Sequence, residues 1–276
     1  MKPKTLMTVQ STDMPAESIE PMLSLAHRMD AHLNIVVVGL VQTGPEIFYG
    51  GAPEYYINDR RSEMVRTTDK RVDALEQLAR KAGVSVSVIA NNLERSAISV
   101  VVGKHALFSD MVLIPHARVP GNPICTEAFN GILFTAGIPV LVLGEDEDVR
   151  YPFKRIVIAW NFEPEAVRAI HRSLQILEDA EDVRVVLVDP DHRIYGASPG
   201  DDIATFLTRH GLPVTVDVIS SAEKDVADAL LKHAADKDAD LVVMGAYGHS
   251  RFQQWLLGGT TRDILQNASC PVFMVH

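Results

Sequence analysis

Apolar residues along this chain fall in short, nearly unbroken runs, separated by longer stretches where they recur every three or four positions. The runs at 6–9, 32–38, 111–115 and 139–143, with the alternating stretch 84–89, predict five strands. Helical spacing between them predicts helices over about 16–29, 60–81, 96–107 and 126–136. In the first of these, Met22, Leu25, Ala26 and Met29 share one face. Residues 42–59, rich in Gly, Pro and Tyr, read as a loop. The plan then repeats. Strands are predicted at 155–159, 183–188, 214–219, 241–244 and 272–275, with helices at 163–177, 201–210, 222–236 and from about Thr260. Strands that are mostly apolar, alternating with helices, predict a parallel sheet with helices on both faces.

The repeat is also visible residue by residue. Gly103-Lys104-His105-Ala106 followed by Asp110-Met111-Val112-Leu113-Ile114 returns as Leu231-Lys232-His233-Ala234 followed by Asp240-Leu241-Val242-Val243-Met244. Ile138-Pro139-Val140-Leu141-Val142 likewise matches Cys270-Pro271-Val272-Phe273-Met274. The short acidic stretch 144–150 is the expected boundary, giving domains over 1–146 and 151–276.

Composition narrows the function classes. A length of 276 residues suits two domains. A formal net charge of -10 argues against a broad nucleic-acid or anionic-membrane surface, but not against one small anion held by backbone amides. No apolar run is long enough to span a bilayer, and the N-terminus lacks the long apolar core of a signal peptide, so a cytoplasmic location is expected. Two cysteines, Cys125 and Cys270, do not make a disulfide framework, and no metal-ligand spacing is present.

The stretch 241–261, LVVMGAYGHSRFQQWLLGGTT, carries the chemistry. An apolar strand runs into Gly245, Gly248, Gly258 and Gly259, and then into a helix starting at Thr260-Thr261. Glycines let backbone N–H groups approach an anion, and a helix N-terminus adds favourable partial charge. His249 and Arg251 lie within the loop, and Arg suits a phosphate. The spacing Gly245-x2-Gly248-x9-Gly258 after a fourth strand, with Asp240 before it and a closing Cys-Pro-Val-Phe-Met-Val strand, resembles the universal stress protein family. The resemblance covers the whole chain as a tandem pair. It implies two flavodoxin-like or Rossmann-like α/β domains, each a five-stranded mainly parallel sheet with helices on both faces. It also implies an adenine nucleotide as ligand, ATP first among ATP, ADP and AMP, with Mg²⁺ accompanying ATP. Carried over, Gly245, Gly248, Gly258 and Gly259 line the phosphates, and Met244 the ribose or adenine. Val188 meets the adenine edge through its backbone. Ala159, Trp160 and Asn161 close the first strand of the second half, with His249, Arg251, Thr260 and Thr261 near the phosphates.

Two positions depart from the family pattern. Asn161 stands where an Asp usually contacts the base, and Gly259 where a Ser or Thr usually follows the third glycine. In the first half, Pro115 and Arg118 replace Gly245 and Gly248, which predicts loss of nucleotide binding there and a pseudo-dimer role. Strands 139–143 and 271–275 are then expected to join the halves. Plainer readings stand beside these: a structural strand–helix connection for the glycine loop, a cap or turn for Asn161, packing for Trp160. No catalytic constellation emerges. Three functions remain: a non-enzymatic nucleotide-binding stress protein acting through an unknown protein partner, a slow ATP-hydrolysing or nucleotidyl-transferring enzyme, and an interaction module without ligand. A homodimer is compatible with each.

Overall fold

The structure is a computed structural model. It describes residues 2–41, 54–115, 122–143, 149–191, 193, 198–222, 225–246 and 259–276, with backbone only for 54–61. By packing, the chain divides into two compact units: 3–114 with 121–138, and chiefly 139–276.

The first unit is built from β1 (Thr5–Ser11), α1 (Glu20–Met29), β2 (His32–Leu40), α2 (Glu54–Ala82), β3 (Val86–Leu93), α3 (Arg95–Ala106), β4 (Met111–Pro115) and α4 (Pro123–Asn130). Its strand order is β3-β2-β1-β4, with β2–β3, β1–β2 and β1–β4 all parallel. Leu6, Leu33, Ile35, Met111 and Leu113 are fully buried, as the unbroken apolar runs require of a sheet covered on both faces. α1 packs with α2, while α3 packs with α4 and with the π-helical turn Gly131–Ala136. The helix α2 begins at Glu54, within the stretch expected to be loop, and the helix predicted over 126–136 is α-helical only to Asn130.

The second unit holds β5 (Val140–Leu143), β6 (Arg155–Ala159), α5 (Pro164–Ser173), β7 (Asp182–Val188), α6 (Asp201–Arg209), β8 (Val214–Ile219), α7 (Val226–Asp236), β9 (Leu241–Gly245), α8 (Gly259–Asn267) and β10 (Val272–Val275). Its strand order is β5-β10-β9-β6-β7-β8. The β5–β10 pair is antiparallel and matches Val142 with Val272; β10–β9, β9–β6, β6–β7 and β7–β8 are parallel. α7 starts four residues later than expected, because Ala222 sits at φ 51°, outside the helical region.

One arrangement occurs in both units. Asp110 accepts the N–H groups of Lys4 and Thr5 at 2.8 and 2.9 Å, and its own N–H donates to Thr5 O at 2.8 Å. Asp240 accepts those of Lys154 and Arg155 at 3.0 Å, and its N–H donates to Arg155 O at 2.8 Å. A carboxylate before the fourth strand therefore clamps the start of the first. Asp240 is buried, and burial pushes its carboxyl above the usual range. The repeated Lys-His-Ala also acts twice: His105 Nε2 lies 3.5 Å from Asn91 Nδ2, and His233 Nε2 lies 2.9 Å from Asp217 Oδ2.

Candidate functional site

The strand order of the second unit turns back between β9 and β6, and in open parallel sheets the crevice outside the carboxyl ends at such a point receives ligands. β6 and β9 run in register, Ile158 beside Val243, so Ala159 ends β6 next to Met244, with Gly245 ending β9. Val188 ends β7 on the other side. Of the residues singled out in the sequence, Ala159, Trp160, Asn161, Val188, Met244 and Gly245 thus share one end of the sheet. Gly259, Thr260 and Thr261 form the first turn of α8. Gly248, His249, Arg251 and Gly258 lie outside the described residues, as do Arg118 and Tyr49.

Gly245 has a reason of its own. A Cβ there would fall 2.6 Å from Ala166 N and from Glu165 C, and 2.7 Å from Glu165 Cβ. The first turn of α5 lies flush on the strand, so only glycine fits, whatever is bound nearby. Gly259 is the reverse case. Among the described residues the nearest atom to an added Cβ is Asp263 Oδ2 at 3.8 Å, so none of them demands glycine there. Gly259 and Thr260 are exposed. The first N–H groups of a helix have no intrahelical partner, so this turn directs donors outward at the positive end of a nine-residue helix. Gly259 is therefore the first helical residue rather than the last of the loop. The amide of Ala246 is not free: it donates to Val275 O at 2.8 Å, while His276 Nδ1 lies 3.0 Å from Ala246 O.

At the other side of the crevice, Asn161 Oδ1 accepts the N–H of Glu163 at 3.2 Å, a local turn before α5. Asn161 is otherwise exposed. The Trp160 backbone N–H donates to Val186 O, and its ring packs on Phe162 at 5.5 Å. Trp160 Nε1 is buried and lacks a partner. Next to Val188, Asp189 accepts Ser221 N–H at 2.9 Å and Ser221 Oγ–H at 2.5 Å; these bonds hold its carboxyl below the usual range. Sequence reasoning missed Phe162, Asp189 and His276. The available signal was that each directly follows, or nearly follows, a strand end.

The first unit is different at the matching place. The two aspartate clamps align Lys4 with Lys154, so Gln10 and Ser11 correspond to Trp160 and Asn161. There Arg71, reaching in from α2, donates through Nη2 to Gln10 Oε1 at 2.9 Å and to Pro15 O at 2.8 Å. Gln10 and Arg71 are both buried. A Cβ on Gly39 would collide with Asn92 Oδ1 and lie 2.7 Å from Thr68 Oγ1. Side chains of α2 and β3 thus fill this strand end from within. Pro115 ends β4 and offers no N–H.

A cleft of about 470 Å³ lies elsewhere in the second unit, lined by His171, Arg172, Leu174, Gln175, Glu178, His210 and Leu212. These residues border the amino ends of β7 and β8, and the basic ones sit at helix C-termini, where cations offset the helix dipole. It is not part of the crevice. Among the described residues, no group of three His, Cys, Asp or Glu side chains is placed to hold a metal ion, and no helix is long and apolar enough to cross a membrane.

This combination of switch-point crevice, glycine segment and open helix start coincides with a family match. The model of the universal stress protein family matches residues 152–276. Residues 152–276 form a universal stress protein domain. A universal stress protein of Synechocystis is 40% identical over 45 residues, 16% of this chain and 16% of that protein. One of Methanocaldococcus jannaschii is 39% identical over 49 residues, 18% of this chain and 29% of that protein. The chain thus matches less than a third of the length of either relative. The crystal structure of a universal stress protein from Archaeoglobus fulgidus covers 98% of this chain and 95% of its own, with a TM-score of 0.72 at 18% identity. That of a putative universal stress protein from Pseudomonas aeruginosa covers 99% and 93%, with a TM-score of 0.59 at 16% identity. These likenesses establish the flavodoxin-like α/β fold of the stress proteins for the chain.

Proposed function

We propose that this chain is a cytoplasmic tandem universal stress protein, with domains over 1–146 and 151–276, that binds one adenine nucleotide in its second domain. The observation that carries the reading is the first turn of α8. Gly259, Thr260 and Thr261 form the first turn of α8, following the glycine segment in sequence; Gly259 and Thr260 are exposed and Thr261 is buried. No described residue imposes a packing demand on Gly259, as a position kept open for a ligand requires. Ala159, Trp160, Asn161, Val188 and Met244 bound the base and ribose side; Gly245, Gly248, His249, Arg251, Gly258 and Gly259 to Thr261 bound the phosphate side. In the first domain, Arg71 and Gln10 fill the strand end and Pro115 offers no N–H, which supports its role as a pseudo-dimer partner.

The protein acts by binding rather than by catalysis: nucleotide occupancy biases a surface read by a protein partner. Calorimetric titration with ATP, ADP and AMP tests this. Micromolar binding of any of them is expected; no binding by all three supports an interaction module instead. Single-turnover incubation with ATP, with Mg²⁺ present, is expected to give no product. Product that disappears on Gly248→Val would establish the enzymatic alternative.

A further inference from the structure

We infer that the first unit holds a small monovalent anion of chloride size at the carboxyl end of β1, bound by Arg71 Nε and Gln10 Nε2. The inference is independent of the nucleotide reading and concerns the other half of the chain.

Arg71 is a buried cation, 7% exposed, and among the described residues no carboxylate forms an ion pair with it. Its Nη2 donates to two neutral oxygens, Gln10 Oε1 at 2.9 Å and Pro15 O at 2.8 Å. A guanidinium N–H must face an oxygen, so the first of these bonds also fixes the orientation of the Gln10 amide. Donors are then left over. Arg71 Nε and Gln10 Nε2 are both buried without a partner, and the 2.9 Å bond holds the two groups side by side. Thr8 precedes Gln10 by two residues and so lies on the same face of β1; its Oγ1 is also buried and unpartnered. The acceptors nearby are already taken. Gln10 Oε1 receives Ser18 Oγ at 3.2 Å as well as Arg71, Pro15 O receives Ser18 Oγ at 2.8 Å, and Asn92 Oδ1 receives Thr68 Oγ1 at 2.7 Å. Asp13 and Glu17 act on Arg71 only through space, and both are exposed, where solvent screens them. A buried charge without a counter-charge is strongly unfavourable. A water molecule would satisfy the spare donors but leave the charge unpaired. A small anion answers both, accepting from the two N–H groups while neutralising the guanidinium. Burial of both side chains limits it to an ion of about chloride size.

The test is urea unfolding of the full chain, followed by far-UV circular dichroism across a roughly hundredfold range of sodium chloride, with sodium gluconate keeping ionic strength constant. Gluconate screens surface charges equally and is too bulky for a buried site. An ion bound only by the folded unit raises the folding constant with its concentration, so a gain of at least about tenfold is expected for the wild type. Gln10→Glu supplies the negative charge itself. This variant is expected to be at least as stable as the wild type at low chloride and to lose the chloride response. Arg71→Met should lose the response too; if it does not fold, Gln10→Glu still decides. Crystals grown in bromide should show an anomalous difference peak within hydrogen-bond distance of Arg71 Nε and Gln10 Nε2. Wild-type stability indifferent to chloride, a response undiminished in Gln10→Glu, or no bromide peak beside Arg71 would overturn the inference.

Discussion

Replacing Gly245 and Gly259 separately by alanine separates two causes for glycine in one motif. At 245 the new methyl would sit 2.6 Å from two backbone atoms of α5 and 2.7 Å from Glu165 Cβ. Backbone cannot swing aside as a side-chain tip can. Relief needs about 1 Å of helix displacement, since ordinary carbon contacts lie near 3.5–4.0 Å. Overpacking of this kind costs about 1–3 kcal/mol. For a unit of this size that is a fall in melting temperature of roughly 3–10 °C. At 259 the nearest atom among the described residues is 3.8 Å away, so the methyl meets none of them and the helix gains from losing a glycine, by up to about 1 kcal/mol. Thermal unfolding followed by far-UV circular dichroism reads both. Gly245→Ala should melt clearly below the wild type and Gly259→Ala at or slightly above it. Equal melting of Gly245→Ala and wild type would refute the claim that α5 fixes glycine at 245. A loss of stability in Gly259→Ala would refute the claim that the start of α8 is open.

Asp110 and Asp240 clamp two strand starts. Asp240→Ala leaves buried N–H groups of Lys154 and Arg155 without an acceptor and should cost about 2–3 kcal/mol in urea unfolding, with Asp240→Asn milder because one oxygen still accepts from both. Burial raises the Cys270 thiol to about 11, so at pH 8 only about one molecule in a thousand carries the thiolate, and Cys125 is buried. Both thiols should resist a thiol reagent in the native protein and react on unfolding. A raised thiol pKa favours the protonated folded state. Its contribution is intact below the ordinary value of 9.0 and is lost as pH climbs toward 11; Cys270→Ala should flatten that part of the stability curve.

Strands were the legible part of the fold. β4, β6, β8 and β10 lie where the sequence pattern puts them: β4 and β10, buried along nearly their whole length, must be apolar, while the half-exposed edge strand β8 alternates as VTVDVI. Helix starts were less legible. The Tyr-rich residues before Arg60 look like loop by composition, yet α2 begins at Glu54. The strand-end residues of the crevice were legible from motif spacing, since chain order alone puts 159–161, 188 and 244–245 at carboxyl ends. What spacing could not reveal depends on partners distant in sequence. The need for glycine at 245 comes from a helix about 80 residues earlier. The filling of the first unit's strand end comes from Arg71 meeting Gln10, 61 residues apart. The turn role of Asn161 was readable, being local.

The central claim is one nucleotide per chain, held by the glycine segment of the second domain. Calorimetric titration of the full chain with ATP, alongside Gly248→Val, tests it most directly. The account predicts a stoichiometry of one and no binding by the variant, whose melting temperature stays near that of the wild type. Two nucleotides per chain, or undiminished affinity in Gly248→Val, would contradict it.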